Sequence, residues 1–173
     1  MAEIAATHKT DVNIPNRLYY TSKADNNRIK QQKLWDITTY ATVGAGVTKN
    51  VVINTFNHDD FICYAKIKVT ISDTAVVALY EGDTTVSAGT ALVPVNHKRN
   101  VLNYEMPETS FLSDATIGVD GVLLQATQGE TKDDIYIPLR KNTAYSVRVT
   151  PDNANTIVDI NITFYEQNTN VIA

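Results

Sequence analysis

Phe61-Ile62-Cys63-Tyr64-Ala65-Lys66-Ile67-Lys68-Val69-Thr70-Ile71 decides how this chain folds. Phe61, Cys63, Ala65, Ile67, Val69 and Ile71 share one face, while Ile62, Tyr64, Lys66, Lys68 and Thr70 form another that grows polar along the run. Successive side chains of a strand point to opposite faces, so this pattern predicts a half-buried β-strand. The same alternation returns near the C-terminus, where Val158, Ile160, Ile162 and Phe164 interleave with Asp159, Asn161, Thr163 and Tyr165. Between Tyr145 and Thr150 the inward set is Tyr145, Val147 and Val149, with Ser146 and Arg148 outward. Weaker strand runs are Ile37–Val43, Val47–Thr55, Ala75–Tyr80, Ala91–Val95, Val122–Ala126 and Asp134–Leu139.

Turn chemistry separates these runs: Gly44-Ala45-Gly46, Asn57-His58-Asp59-Asp60, Glu81-Gly82-Asp83, Ala88-Gly89, Asp120-Gly121, Lys141-Asn142 and Pro151-Asp152-Asn153. Asp120-Gly121, just before Val122, is the strongest tight-turn signal, because both residues tolerate positive φ. Asn103–Ala115 lacks alternation and reads as a loop crossing between sheets. Short strands at this spacing predict an all-β, jelly-roll-like antiparallel sandwich rather than βαβ units.

Composition agrees. Val, Ile and Thr supply 55 of the 173 residues, against nine Leu. Such β-branched side chains pack well on a pleated sheet and lose freedom in a helix. The 43% hydrophobic content describes an ordinary folded chain. No run approaches the ~18 apolar residues of a membrane helix. The start, with Glu3 and no apolar stretch, does not read as a secretory signal. A single cysteine, Cys63, cannot form an internal disulfide; the chain is expected to be made in a reducing cytosol.

Charge divides the chain. Residues 1–33 carry six Lys or Arg against three acids, while the other 140 carry nine against sixteen. The basic segment holds Pro15 and shows no strand alternation. It is expected to be an extended arm over residues 1–35, ahead of a sandwich over 36–168 and a tail over 169–173. Arg17, Tyr19, Tyr20, Arg28, Lys30, Lys33 and Trp35 are the arm's candidate partner contacts, since aromatic and Arg anchors dominate interface energy. The arm is too dilute in Arg for a nucleic-acid tail, so no sequence-specific nucleic-acid partner is expected.

Signals of catalysis are thin. His8, His58 and His97 are the only histidines, and none has a His or Cys partner at metal-ligand spacing. Asn57-His58-Asp59-Asp60 holds possible ligands, but a turn before a strand accounts for it equally well. Cys63 alternates with core positions and reads as a small hydrophobe. There is no G-x-S-x-G, no phosphate-binding glycine loop and no H-E-x-x-H. Adjacent acids such as Asp59-Asp60 and Asp133-Asp134 would point to opposite faces of a strand. Neither an enzyme nor a cofactor is expected. Val95-Asn96-His97-Lys98-Arg99-Asn100 is the one charged loop; as a site it would bind an anion, and as structure its residues would brace a sharp connection. The bracing role is the one expected for Pro94, Asn96, Arg99 and Asn100.

That loop opens a resemblance. Ala78-Leu79-Tyr80-Glu81-Gly82, then Gly89-Thr90-Ala91-Leu92-Val93-Pro94-Val95-Asn96 and Arg99-Asn100, resemble a family of small tailed-bacteriophage virion proteins. The family's DG-x-LL element is matched by Asp120-Gly121-Val122-Leu123-Leu124. Its L-x-x-N-T-x-Y-x-x-R-V-T strand is matched by Leu139 through Thr150, and its closing strand by Val158 through Glu166. The match runs over roughly residues 50–166, leaves the arm uncovered, and departs from the family at the polar stretch Gln125–Asp134. The resemblance implies a capsid decoration, or cement, protein with a jelly-roll body and no chemistry. It would bind the major capsid protein and its own copies, as a dimer or trimer, on the outer capsid surface after synthesis in the bacterial cytoplasm. The alternatives are a receptor- or glycan-binding domain of a virion fibre or tail, and a β-sandwich hydrolase, which the missing acid–base set disfavours. Tyr104 and Phe111 are the aromatics available to a glycan site on the longest loop.

Overall fold

The computed structural model describes residues 34–57, 61–85, 89–97, 106–129 and 134–168. Among them are thirteen strands and no helix. The longer strands are β1 (Leu34–Val43), β2 (Lys49–Asn54), β3 (Phe61–Ile71), β4 (Ala75–Glu81), β10 (Val122–Gly129), β11 (Ile135–Leu139), β12 (Ala144–Pro151) and β13 (Thr156–Asn168). The shorter ones are β5 (Thr84–Thr85), β6 (Thr90–Leu92), β7 (Val95–Asn96), β8 (Ser110–Ser113) and β9 (Ile117–Val119). One sheet runs β11-β3-β13-β1-β7 and a second β10-β4-β12-β2-β8-β6, with β5 and β9 forming a small ribbon. All pairings are antiparallel. The chain is an all-β sandwich.

The alternating residues become the core. Cys63, Ala65, Ile67, Val69 and Ile71 are buried on β3, beside Val158, Ile160, Ile162 and Phe164 of β13. From the second sheet Tyr145, Val147 and Val149 meet them, with Val51, Ile53, Val77 and Leu79. Each such Val, Ile, Leu or Phe side chain contributes roughly 1.5–3 kcal/mol by leaving water. Register aligns the inward rows: Ile67, Ile162 and Ile37 stand side by side across three strands, and so do Leu79, Val147 and Val51. A slip of one residue would turn a whole row to solvent, which fixes the pairing.

Four expectations are corrected. Trp35 belongs to the body rather than to an arm: β1 starts at Leu34, and Trp35 is buried and stacked on Phe164, ring centroids 5.5 Å apart. The presumed loop Asn103–Ala115 contains β8, and its Phe111 is buried 4.6 Å from Phe164 rather than offered to a ligand. Ala91–Val95 is not one strand. Val93 and Pro94 divide it, so that β6 lies in the second sheet and β7 in the first. Pro94, which has no N–H to give a ladder, makes that corner.

The fourth correction concerns Asp120-Gly121. Neither residue has positive φ; Asp114, Asn142, Asn155 and four other glycines do. Gly121 is required instead by close approach, because a Cβ there would lie 2.1 Å from the carbonyl oxygen of Glu81. At other turns among the described residues, Gly46, Gly82, Asn142 and Asn155 stand in the left-handed region where Gly and Asn are tolerated, while 58–60 and Ala88 lie outside the described residues.

Cys63 lies buried near the start of β3, opposite Glu166. Burial pushes its thiol well above the ordinary value of 9.0, and the nearby Glu166 carboxylate adds to the rise. The folded state therefore keeps its proton where the unfolded chain has lost it, so stability falls as pH rises past about 9. Denaturant unfolding across that range is expected to show the decline, and Cys63→Ala to make it shallower. Phe111→Ala is expected to cost about 3–5 kcal/mol in urea unfolding, as for a core aromatic. A surface-loop position would change stability by less than about 0.5 kcal/mol.

Candidate functional site

In β12 the inward residues are apolar, yet Ser146 and Arg148 alternate with them and face outward from the sheet. An outward face normally meets water. Here Ser146 is fully buried, and so is Val52, its register partner on β2. Something covers this side as well.

The cover is the segment 114–121, which leaves β8 at one side of the sheet and enters β10 at the other. Four strand spacings separate those positions, roughly 19 Å. Eight extended residues reach about 26 Å, so the crossing is direct. Side chains rising from the sheet fasten this strap. Asn50 Nδ2 donates to the Ala115 carbonyl at 2.9 Å, and Asn50 Oδ1 accepts from the Ala115 N–H at 3.1 Å. Further along, β9 in the strap pairs with β5, and the Val119 N–H donates to Thr84 Oγ1 at 3.1 Å.

The strongest fastening is ionic. The Asp83 side chain has no exposed surface, and Arg148 Nη2 donates to its Oδ2 at 2.7 Å. Ser146 Oγ donates to the same oxygen, while Oδ1 accepts from the Gly121 N–H at 2.5 Å. Arg148 Nη1 reaches Asp120 Oδ1 at 2.6 Å, and Nε reaches Ser146 Oγ at 2.9 Å. The guanidinium also lies 4.1 Å from the centre of the Tyr80 ring, a cation–π arrangement. Burial pulls the Arg148 pKa down, but the bonds to Asp83 and Asp120 outweigh it and hold the group above its ordinary value. The guanidinium stays charged.

Beyond the clamp the surface is apolar. Val119 at the strap's end and Val122, Leu123 and Leu124 at the start of β10 are all exposed. The opposite face of the molecule is polar. Across the first sheet, Thr163 donates to Asp36 at 2.7 Å, Asn161 donates to Thr38 at 2.8 Å, and His97 Nε2 lies 2.6 Å from Asp36. Lys66 pairs with Asp134 at 2.7 Å and lies over the Tyr136 ring, while Tyr40 stands exposed on β1.

Arg17, Tyr19, Tyr20, Arg28, Lys30, Lys33, Arg99 and Asn100 lie outside the described residues, as do His8, His58 and Tyr104. Asn96 is buried at the edge of the first sheet, paired with Trp35, one residue from Pro94-Val95. Among the described residues no three His, Cys, Asp or Glu side chains gather where a metal could bind. Sequence reasoning missed the role of Arg148 and Asp83. The available signal was a strand arginine between apolar neighbours, with acids in two separate turns to receive it.

The fold and this face define a two-sheet antiparallel sandwich whose outer surface is clamped by a buried ion pair. No family model, no curated protein and no solved structure matches the chain.

Replacing Arg148 by Met leaves Asp83 buried without its counter-charge, and an expected loss of about 3–5 kcal/mol follows. Asp83→Asn combined with Arg148→Met is expected to cost less than the sum of the single changes. A double-mutant cycle in urea measures that coupling.

Proposed function

We propose that this chain is a non-enzymatic structural protein of a tailed-bacteriophage virion, one that binds the outer capsid surface and stabilises the shell as a decoration protein. Its partners in this reading are the major capsid protein and its own copies, as a dimer or trimer. One observation carries the reading: motif strings of the virion-protein resemblance, far apart in sequence, lie together in space. Val122 pairs with Glu81, which pairs with Tyr145; Leu123 pairs with Tyr80, which pairs with Ser146. Asp120, Tyr80 and Arg148 of those three strings then meet in one clamp. A set of matches tied to one packed corner is less open to coincidence than scattered ones.

Strand order supports the jelly-roll part of the reading. With the eight longer strands numbered in chain order, one sheet reads 6-3-8-1 and the other 5-4-7-2. That order is the one a double Greek-key jelly-roll path would give, and it supports this part of the proposal. A body of this kind suits a load-bearing part, since both faces of the second sheet are pinned. With Trp35 in the core, Arg17, Tyr19, Tyr20, Arg28, Lys30 and Lys33 carry the proposed capsid grip. Repeated attachment would turn modest single contacts into firm ones.

A second reading, a glycan- or receptor-binding domain of a fibre or tail, draws on the polar face of the first sheet. Tyr40 stands there opposite Asp159 and two residues from the Thr38–Asn161 pair, the chemistry of a sugar platform. Glycan-array binding abolished by Tyr40→Ala would favour it.

Quantitative proteomics of purified particles tests the first reading, with a copy number scaling with capsid subunits expected. A number matching a fibre or tail part would overturn it. Deleting residues 1–33 is expected to abolish binding to undecorated capsids; undiminished occupancy removes the arm from the proposal.

A further inference from the structure

The two large sheets end in four edges among the described residues, and three are blunted. β7 has two residues and β6 three, while β11 has five and contains Pro138. Short edges and prolines are how sheets avoid pairing with other chains. β10 is different. It runs eight residues, Val122-Leu123-Leu124-Gln125-Ala126-Thr127-Gln128-Gly129, with no proline and no charge. Only its β4 side is paired among the described residues. The ladder steps from Leu123–Tyr80 to Gln125–Leu79, leaving Leu124 as a bulge, and then continues unbroken to Gly129. Beside that open stretch Val122 is 69% exposed, Val119 67%, Leu123 50% and Leu124 42%.

We infer that β10 is a self-association edge, where a second copy of this chain adds its own β10 antiparallel about a two-fold axis. Charge selects the occupant. A strand laid along β10 must be uncharged through its length, or it sets a desolvated charge against Leu123 and Ala126. β10 itself meets that demand in a chain with 20% charged residues. Antiparallel self-pairing sets neutral residues against neutral ones in every register. Gln125, Thr127 and Gln128 both donate and accept, so they complement their own copies. A two-fold contact needs one such self-complementary patch. The clamp serves it as well, because Asp120 and Gly121 fix where β10 begins. This deepens the homo-oligomer part of the proposed function, on which it rests, and requires nothing of the capsid.

Analytical ultracentrifugation of the full chain tests it, using wild type, Leu123→Lys/Ala126→Lys and Leu123→Glu/Ala126→Glu. Wild type is expected at twice the 19.1 kDa chain mass. Each variant alone is expected to lose the doubled mass, with circular dichroism unchanged, and an equal mixture of the two to regain it. Doubled mass retained by both variants overturns the β10 interface and leaves the oligomer standing on another surface. Single mass for wild type overturns both. A mixture that stays at single mass also overturns the β10 pairing. If the variants fail to fold, wild-type hydrogen exchange decides. Protection of β10 amides that grows with protein concentration supports the interface, and protection independent of concentration overturns it.

Discussion

A carboxylate with no exposed surface governs the outer half of this molecule. Asp83 receives Arg148, Ser146 and the Gly121 N–H, and through them it joins β12, the turn after β4 and the entry to β10. A buried ion is tolerable only when its charge is matched and its lone pairs are filled. Arg148 supplies the charge and spreads its remaining donors over Ser146 and Asp120. Remove that pairing and the Gly121 end of the strap loses its ionic anchor, while the far end stays held by Asn50–Ala115 and Lys49–Asp114 and the middle by the short β5–β9 ribbon. Val52 and Ser146 would then face water. The centre of the second sheet is thus buried on both sides by unlike means: apolar packing within and an ionic clamp without.

Gly121 shows how tightly the two are coupled. The strap passes so close to Glu81 that no side chain fits, and this closeness is what lets a short aspartate reach the Gly121 N–H from the next turn. Sequence patterns suggest a turn glycine there for its freedom at positive φ. The structure uses its lack of a Cβ instead. Both readings predict glycine, and only the coordinates of Glu81 tell them apart.

The inner core was legible in the sequence because it obeys one local rule. Period-two alternation in 61–71, 145–150 and 158–164 marks inward residues, and those described are buried. Three features escaped that rule for physical reasons. β8 is four residues long, too short to show a period, and Phe111 is recognisable only by what it touches. β6 and β7 look like one run because Pro94 moves the chain from one sheet to the other without a polar break. Trp35 follows a basic, non-alternating segment, so its place in the body depends on Phe164, which lies 129 residues later. The clamp was hidden for the same reason: Asp83, Asp120 and Arg148 meet only after the sheet forms. Local pattern reports burial, whereas partnership across the chain requires the fold.

The two outer surfaces that result are chemically unlike, and this bears on the proposed assembly. The first sheet shows several polar side chains bonded to one another: Asn161 to Thr38, Thr163 to Asp36 and Lys66 to Asp134. Such a surface gains little from a dry contact, because burying it forfeits water without creating new bonds. The second sheet ends in an uncharged edge that is unpaired on its outer side among the described residues, and a further strand would satisfy its backbone groups while covering Val122 and Leu123. Self-association therefore has its incentive at β10, leaving the polar face free in the assembled form. In the proposed assembly a dimer joined there would carry two copies of residues 1–33, and two weak grips on neighbouring capsid subunits would hold far longer than one. On this argument the edge strand and the arm are successive requirements of one task. Under that proposal the sandwich between them would have to be stiff enough to transmit load, and the buried Asp83–Arg148 pair would serve that stiffness.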